Sequence, residues 1–178
     1  YQYANFGYGI LDHVIERTSG DSYAAFMKEE VFSPLGMKHT AVALDEAQQK
    51  LAAIRYGADQ QPLADYHFDH PGASAVYSSA HDLIRFASLH LKKPLADQKS
   101  PLSDKWIDEM QRPTVITKPG VGYGVGWRIT ESEYGFKTVT HTGGMPGVRT
   151  RLTLVPSEGI AVAALTNSRS SLPHRVVE

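Results

Sequence analysis

The constraint that acts first on this chain is a change of period. Up to about residue 112 apolar side chains recur at helical spacing, and from about residue 121 to 167 they alternate with polar or glycine positions in steps of two. Helices come first and a meander of short strands comes last, without the strand and helix alternation that builds parallel sheets. That order specifies an α+β class.

The helical part divides at its stop signals. Tyr8, Leu11, Val14 and Ile15 place one face of a first helix after Asn5, and Gly20 ends it. Asp21 or Ser22 caps a second helix carrying Tyr23, Phe26, Met27 and Val31, closed by Pro34 and Gly36. From Ala41 to Tyr77 no period holds, which predicts a long irregular connection of the kind that borders binding sites. Ser79-Ala80-His81-Asp82 matches a capping box and opens a helix over 80–92 through Leu83, Phe86, Ala87, His90 and Leu91. Ser103 caps a short one with Trp106, Ile107 and Met110 before Pro113.

Tyr123, Val125, Trp127 and Ile129 alternate with Gly124, Gly126 and Arg128, the mark of one half-buried strand. Lys137 to Thr142 is a β-branched run, and Thr150, Leu152 and Leu154 alternate with Arg149, Arg151 and Thr153. Pro156-Ser157-Glu158-Gly159 then turns the chain into Ile160 to Thr166, an antiparallel hairpin.

A length of 178 residues is that of one domain or a piece of a larger one, so the whole of 1–178 is read as part of a single domain. Lys+Arg 18 against Asp+Glu 19 leaves a net charge of -1, with no bulk field to draw phosphate backbones, so nucleic acid is not an expected partner. No run approaches the ~18 apolar residues of a membrane span, and no basic and apolar leader opens the chain. With no cysteine, thiolate zinc sites, disulfides and cysteine nucleophiles are excluded. Tyr1-Gln2-Tyr3 opens without an initiator Met, and Leu172 to Glu178 stops where another element begins, so a fragment is expected.

Two segments have the residue types for chemistry. Tyr3-Ala4-Asn5 puts a phenol and an amide two residues apart at a helix start; they face a cleft together, or they are a packed Tyr beside a helix cap. His141-Thr142-Gly143-Gly144, followed by Met145-Pro146-Gly147, puts an imidazole, a hydroxyl and close-approaching backbone at the end of a strand. The alternative there is a Gly-rich turn with an incidental His. A metal site is the obvious rival, given His67-Phe68-Asp69-His70 and His81-Asp82, but His-Glu-x-x-His spacing is lacking and no metal or cofactor is expected. His13, His39, His90 and His174 have no partner pattern and read as structural. Gly120, Gly122, Gly124 and Gly126 lack the lysine and helix of a phosphate loop. Trp106 and Trp127 line a pocket or, more simply, pack in the core.

Taken in order, the segments resemble the C-terminal part of a β-lactamase and penicillin-recognising serine hydrolase of the class C, DD-peptidase and esterase branch. Tyr3-Ala4-Asn5, with Phe6-Gly7-Tyr8-Gly9-Ile10-Leu11 behind it, is similar to that family's Tyr-x-Asn motif. Pro34-Leu35-Gly36-Met37-Lys38-His39-Thr40, Ser78-Ser79-Ala80-His81-Asp82-Leu83, Tyr123-Gly124-Val125-Gly126-Trp127 and Leu165-Thr166-Asn167 also fall in its order. His141-Thr142-Gly143 resembles the motif usually written Lys-Thr-Gly.

The resemblance implies an antiparallel sheet flanked by helices and acyl-enzyme chemistry on an amide, β-lactam or ester, with a small-molecule or peptide-like substrate. Tyr3 would be the general base and Asn5 a ligand of the substrate carbonyl side chain. His141 would act on the phenolate or on a substrate carboxylate, Thr142 would donate its hydroxyl, and Gly143 and Gly144 would bring backbone N–H groups to the oxyanion. The family's Ser-x-x-Lys is absent: no serine in the chain has Lys three residues on. The nucleophile helix and first strands are therefore expected upstream, and the chain alone is expected to be inactive. Its open groove would need that N-terminal segment or a dimer partner to cover it. A non-catalytic binding or scaffolding relative is the alternative. Export to a bacterial periplasm or medium is suggested by the family alone.

Overall fold

The structure, a computed structural model, describes residues 1–66 and 69–176, without the side chains at 174 and 176. The readings made at His67, Phe68 and the His174 side chain lie outside the described residues. Helices α1 (Asn5–Ser19) and α2 (Tyr23–Met27) form the expected hairpin, and α2 runs on as a π-helical turn, Lys28–Phe32. Gly20, at φ 83°, ends α1 with its N–H on Glu16 O, and the Ser22 side chain accepts from Ala25 N as the cap of α2. A short α3 (Glu46–Gln49) follows inside the stretch read as irregular, with a complete capping box between Asp45 and Gln48. Then come α4 (Ala80–His90) and α5 (Asp104–Met110).

Six strands in sequence order make one antiparallel sheet: β1 (Val115–Lys118), β2 (Val121–Tyr123), β3 (Arg128–Glu133), β4 (Phe136–Met145), β5 (Val148–Val155) and β6 (Ile160–Thr166). A last helix, α6 (Leu172–Val176), packs on β5 and β6.

The meander corrects the sequence reading in two places. The run from Tyr123 to Ile129 is not one strand: β2 stops at Tyr123, and β3 returns antiparallel from Arg128 with Tyr123 opposite it. Gly126, at φ 76°, supplies the left-handed backbone that the turn needs, and Gly124 N–H donates to Trp127 O at 2.8 Å. The alternation survives through a reversal of direction, so period alone did not reveal the turn. In the second place, Gly143 and Gly144 are extended strand rather than turn, and β4 reaches Met145 before Pro146 and Gly147 reverse the chain. The predicted Pro156 to Gly159 turn is present between β5 and β6.

Two apolar clusters meet at α4. Leu89 belongs with Tyr23, Phe32, Leu35, Met37, Val42 and Ile107, while Ala87 belongs with Trp127, Ile129, Val139, Leu152 and Leu154. Full burial of Leu35, Ile129 or Leu154 contributes about 2 kcal/mol each. Trp127 is in the core, stacked near Phe86, but Trp106 is 55% exposed, since α5 turns Ile107 inward instead.

Polar groups fix the helices to the loops. Ser79 caps α4 by accepting from Asp82 N, but Asp82 does not complete the predicted box. Its carboxylate, 1% exposed, accepts from His39 N at 2.7 Å and Thr40 Oγ1 at 2.8 Å. Three residues on, Arg85 Nε donates to Leu35 O at 2.7 Å and Nη2 to Asp97 at 2.8 Å. Gly36, at φ 65°, lies so close that a Cβ there would meet the Arg85 guanidinium. The Pro-Leu-Gly-Met loop and the start of α4, two separate motifs in sequence, are thus one clamp.

A strap over residues 54–66 lies at the end of the sheet that carries the β4–β5 turn. Asn167 Nδ2 donates to Ile54 O at 2.8 Å and Tyr56 N–H donates to Asn167 O at 2.9 Å. Arg55 stacks on Tyr66, and the strap crosses so close to the β4–β5 turn that a Cβ on Gly147 would meet Arg55 and Leu63.

Candidate active site

Tyr3 and Asn5 stand at the head of α1, where Ala4 occupies the cap position in extended backbone and provides no side-chain cap. Asn5 is therefore the first helical residue rather than the cap. Tyr3 is 56% exposed, and its ring meets the sheet edge-on at Tyr123, with centroids 6.4 Å apart and planes at 73°. Tyr1 stacks on the same Tyr123 ring at 5.2 Å.

Behind them α1 is fixed by a crossing. Asp12 is buried and accepts from Gly72 N–H at 2.6 Å, while a Cβ on Gly72 or Gly9 would collide with Asp12 or His70. This corrects most of the predicted packing of α1: Gly9 and Asp12 are its buried positions and Tyr8, Leu11 and Val14 are exposed, while Ile15 packs on the first apolar cluster as expected. No described element covers the Phe6, Ile10 and Val14 stripe.

His141, Thr142, Gly143 and Gly144 lie in the second half of β4, paired with Leu152, Arg151, Thr150 and Arg149 of β5. Alternation puts His141 on the face with Val139 and exposes Thr142 on the other. Burial pushes the His141 imidazole below its usual range, partly offset by a backbone hydrogen bond with Thr142, so it is neutral at pH 7. The glycine at 143 has a packing reason, because a Cβ there would strike the Thr150 hydroxyl. No hydrogen bond or ring contact joins Tyr3 to His141 among the described residues; Tyr3 reaches the sheet two strands away, at β2.

Sequence reasoning passed over Tyr8 and Tyr123 as site residues. Tyr8 read as a core position and Tyr123 as one step of an alternation. Burial and the nearby phenols push Tyr123 up to about 12, and burial with Tyr3 and Tyr1 nearby raises Tyr8, against a hydrogen bond from Gly126. The density of tyrosine around the Tyr-x-Asn segment was the only available signal. Among the described residues, no group of three or more His, Asp or Glu could hold a metal ion, and no helix is long and apolar enough to cross a membrane.

A family model described as beta-lactamase matches residues 1–178. The chain belongs to the β-lactamase family. It is 29% identical over 183 residues to an unguisins hydrolase of Aspergillus campestris, covering 96% of this chain and 34% of that protein. It is 26% identical to penicillin-binding protein 4 of Amycolatopsis lactamdurans, covering 93% and 46%. Among solved structures, the octameric penicillin-binding protein homologue from Pyrococcus abyssi superposes with a TM-score of 0.81 at 25% identity, over 95% of this chain and 39% of that one. A β-lactamase/D-alanine carboxypeptidase from Pseudomonas syringae reaches 0.84 at 19% identity, over 99% and 57%. The six-stranded sheet with its helices is thus the β-lactamase/DD-peptidase fold. This chain spans between a third and about three-fifths of these family members.

Proposed function

We propose that this chain is part of a serine hydrolase that works through an acyl-enzyme, with the nucleophile in a Ser-x-x-Lys segment preceding Tyr3. The observation that carries the reading is a family match across 1–178 that includes both Tyr3-Ala4-Asn5 at the head of α1 and His141-Thr142-Gly143 within β4.

The serine Oγ attacks the substrate carbonyl as its proton passes to the Tyr3 oxygen, with the lysine ammonium beside both. The C=O pair moves onto oxygen, where the Gly144 N–H and the nucleophile's own N–H receive it; each such donor is worth about 3 kcal/mol. Collapse expels the amine or alcohol, which takes the proton back from Tyr3, and water then hydrolyses the serine ester by the same relay. Asn5 holds the carbonyl side chain of the substrate, and Thr142 and Gly143 line the strand along which it lies.

Because His141 is neutral at pH 7, it offers a hydrogen bond rather than a fixed cation. Esters and peptide-like amides therefore suit this strand at least as well as a β-lactam that depends on its carboxylate. The same reading assigns the open stripe of Phe6, Ile10 and Val14 to the part of the domain that carries the nucleophile, and leaves the 178-residue chain inactive by itself.

Intact mass of the full-length protein after exposure to a serine-acylating probe tests this. One adduct, mapped to a serine with lysine three residues on, is expected. An unlabelled protein, or one whose upstream segment lacks that pair, would leave a binding relative that keeps the fold without the chemistry.

A further inference from the structure

We propose that Tyr123 is a positioning residue: the Tyr1–Tyr123 stack is a fixed platform that holds the Tyr3 phenol in its reactive orientation. The inference rests on Tyr3 being the general base, and adds what keeps it in place.

Tyr3 has little else to hold it. It lies outside α1, next to a cap position without a side-chain bond, and more than half of it is exposed. A tyrosine in that setting samples several rotamers, whereas proton transfer needs one. The edge-on contact with Tyr123, at 6.4 Å and 73°, is an arrangement that aromatic pairs favour.

Tyr123 itself is held through its backbone and the turn that follows it. Its carbonyl accepts from Thr114 N at 2.8 Å and Thr114 Oγ1 at 3.1 Å. In the turn that follows, Val125 N–H donates to Met110 O at 3.0 Å, and a Cβ on Gly124 would strike the Met110 and Arg112 carbonyls, so the turn is seated on the end of α5. Gly126 in that turn lies beside the Tyr8 hydroxyl of α1, 3.6 Å from where a Cβ would stand. Tyr1 stacks on the ring, with centroids 5.2 Å apart and planes at 29°. The Tyr123 side chain belongs to neither apolar cluster. With its phenol pushed up to about 12, Tyr123 stays uncharged through the neutral range and acts by shape and ring quadrupole, not as a second base.

The test is the acylation burst of the full-length protein with a p-nitrophenyl ester, in Tyr123→Leu, Tyr123→Phe, Tyr3→Phe and the Tyr3→Phe/Tyr123→Leu double variant. Misplacement of a reacting group by about 1 Å costs up to ~10²-fold, so Tyr123→Leu should slow acylation by about 10- to 100-fold with KM little changed. Tyr123→Phe keeps the ring and should restore most of the rate. Since Tyr123 acts only through Tyr3, adding Tyr123→Leu to Tyr3→Phe should cost nothing further. A wild-type rate in Tyr123→Leu, or a full additional loss in the double variant, overturns the platform while leaving the base intact. A normal rate in Tyr3→Phe overturns the base itself. If Tyr123→Leu does not fold, Tyr1→Leu removes the other half of the stack, and an unchanged rate there overturns the proposal equally.

Discussion

Helices α1 and α4 have the same kind of apolar period and opposite fates. In α4 the period leads inward: Ala87 and Leu89 enter the two clusters, and even its polar residues, Asp82, Arg85 and His90, are buried. In α1 most of the period leads outward: Ile15 alone of its predicted face packs on the first cluster, and the helix is fixed besides by a glycine crossing with one carboxylate and by Glu16, which accepts from Tyr23 N–H. A hydrophobic stripe therefore shows a helical period without showing what, if anything, covers that face. The difference also separates tasks, because α4 joins the two apolar clusters while the head of α1 presents Tyr3 and Asn5.

Four substitutions or titrations press on that division. Tyr3→Phe in the full-length protein should cut acylation by at least about 10²-fold, with binding and denaturation midpoint little changed; equal losses of rate and stability would erase the distinction between the helices. Asp82→Ala should do the reverse, removing about 3 kcal/mol in urea denaturation by leaving His39 N–H and Thr40 Oγ1 without their acceptor.

His90 gives α4 a pH signature. It is 2% exposed, packed against Phe86 and Trp127, its Nδ1 has no hydrogen-bond partner among the described residues, and burial pushes its imidazole down to about 4. An unfolded histidine titrates near 6.5, so between those two values the unfolded chain binds a proton that the folded chain refuses. Stability is complete above about pH 6.5 and falls by as much as about 3 kcal/mol on the way to pH 4. Denaturation series for the parent and His90→Leu should differ in slope across that window and nowhere else.

The smallest effect belongs to α1. Ile10→Ser, on the open stripe, should change the stability of the 178-residue chain by less than about 0.5 kcal/mol. In the full-length protein the same change should cost about 2 kcal/mol, and a null result in both would mean that the stripe stays open.

The legible parts of the fold were those with local causes. Gly20, Ser22, Ser79 and the Pro156 to Gly159 turn act through neighbours in sequence, and each is where its chemistry predicts. The Asp45 and Gln48 capping box was equally local and was passed over inside a stretch taken as aperiodic. What could not be read depends on distant partners: Asp82 gives up the cap of its own helix for a loop more than forty residues away. Tyr123 ends its strand because α5 receives the following turn. At the candidate site, Tyr3, Asn5 and the His141 to Gly144 strand were legible as motifs, but the ring on which Tyr3 rests was not, since 120 residues of chain separate the two.

The strap over residues 54–66 sets an order of assembly. Its anchor on Asn167 spans 113 positions, and its other contact is the turn between β4 and β5, so the two together require β4, β5 and β6 in place. Closing so long a loop costs entropy before any contact offsets it. The strap is accordingly expected to close late on refolding, and in native-state hydrogen exchange the Tyr56 amide should lose its protection ahead of the central amides of β5.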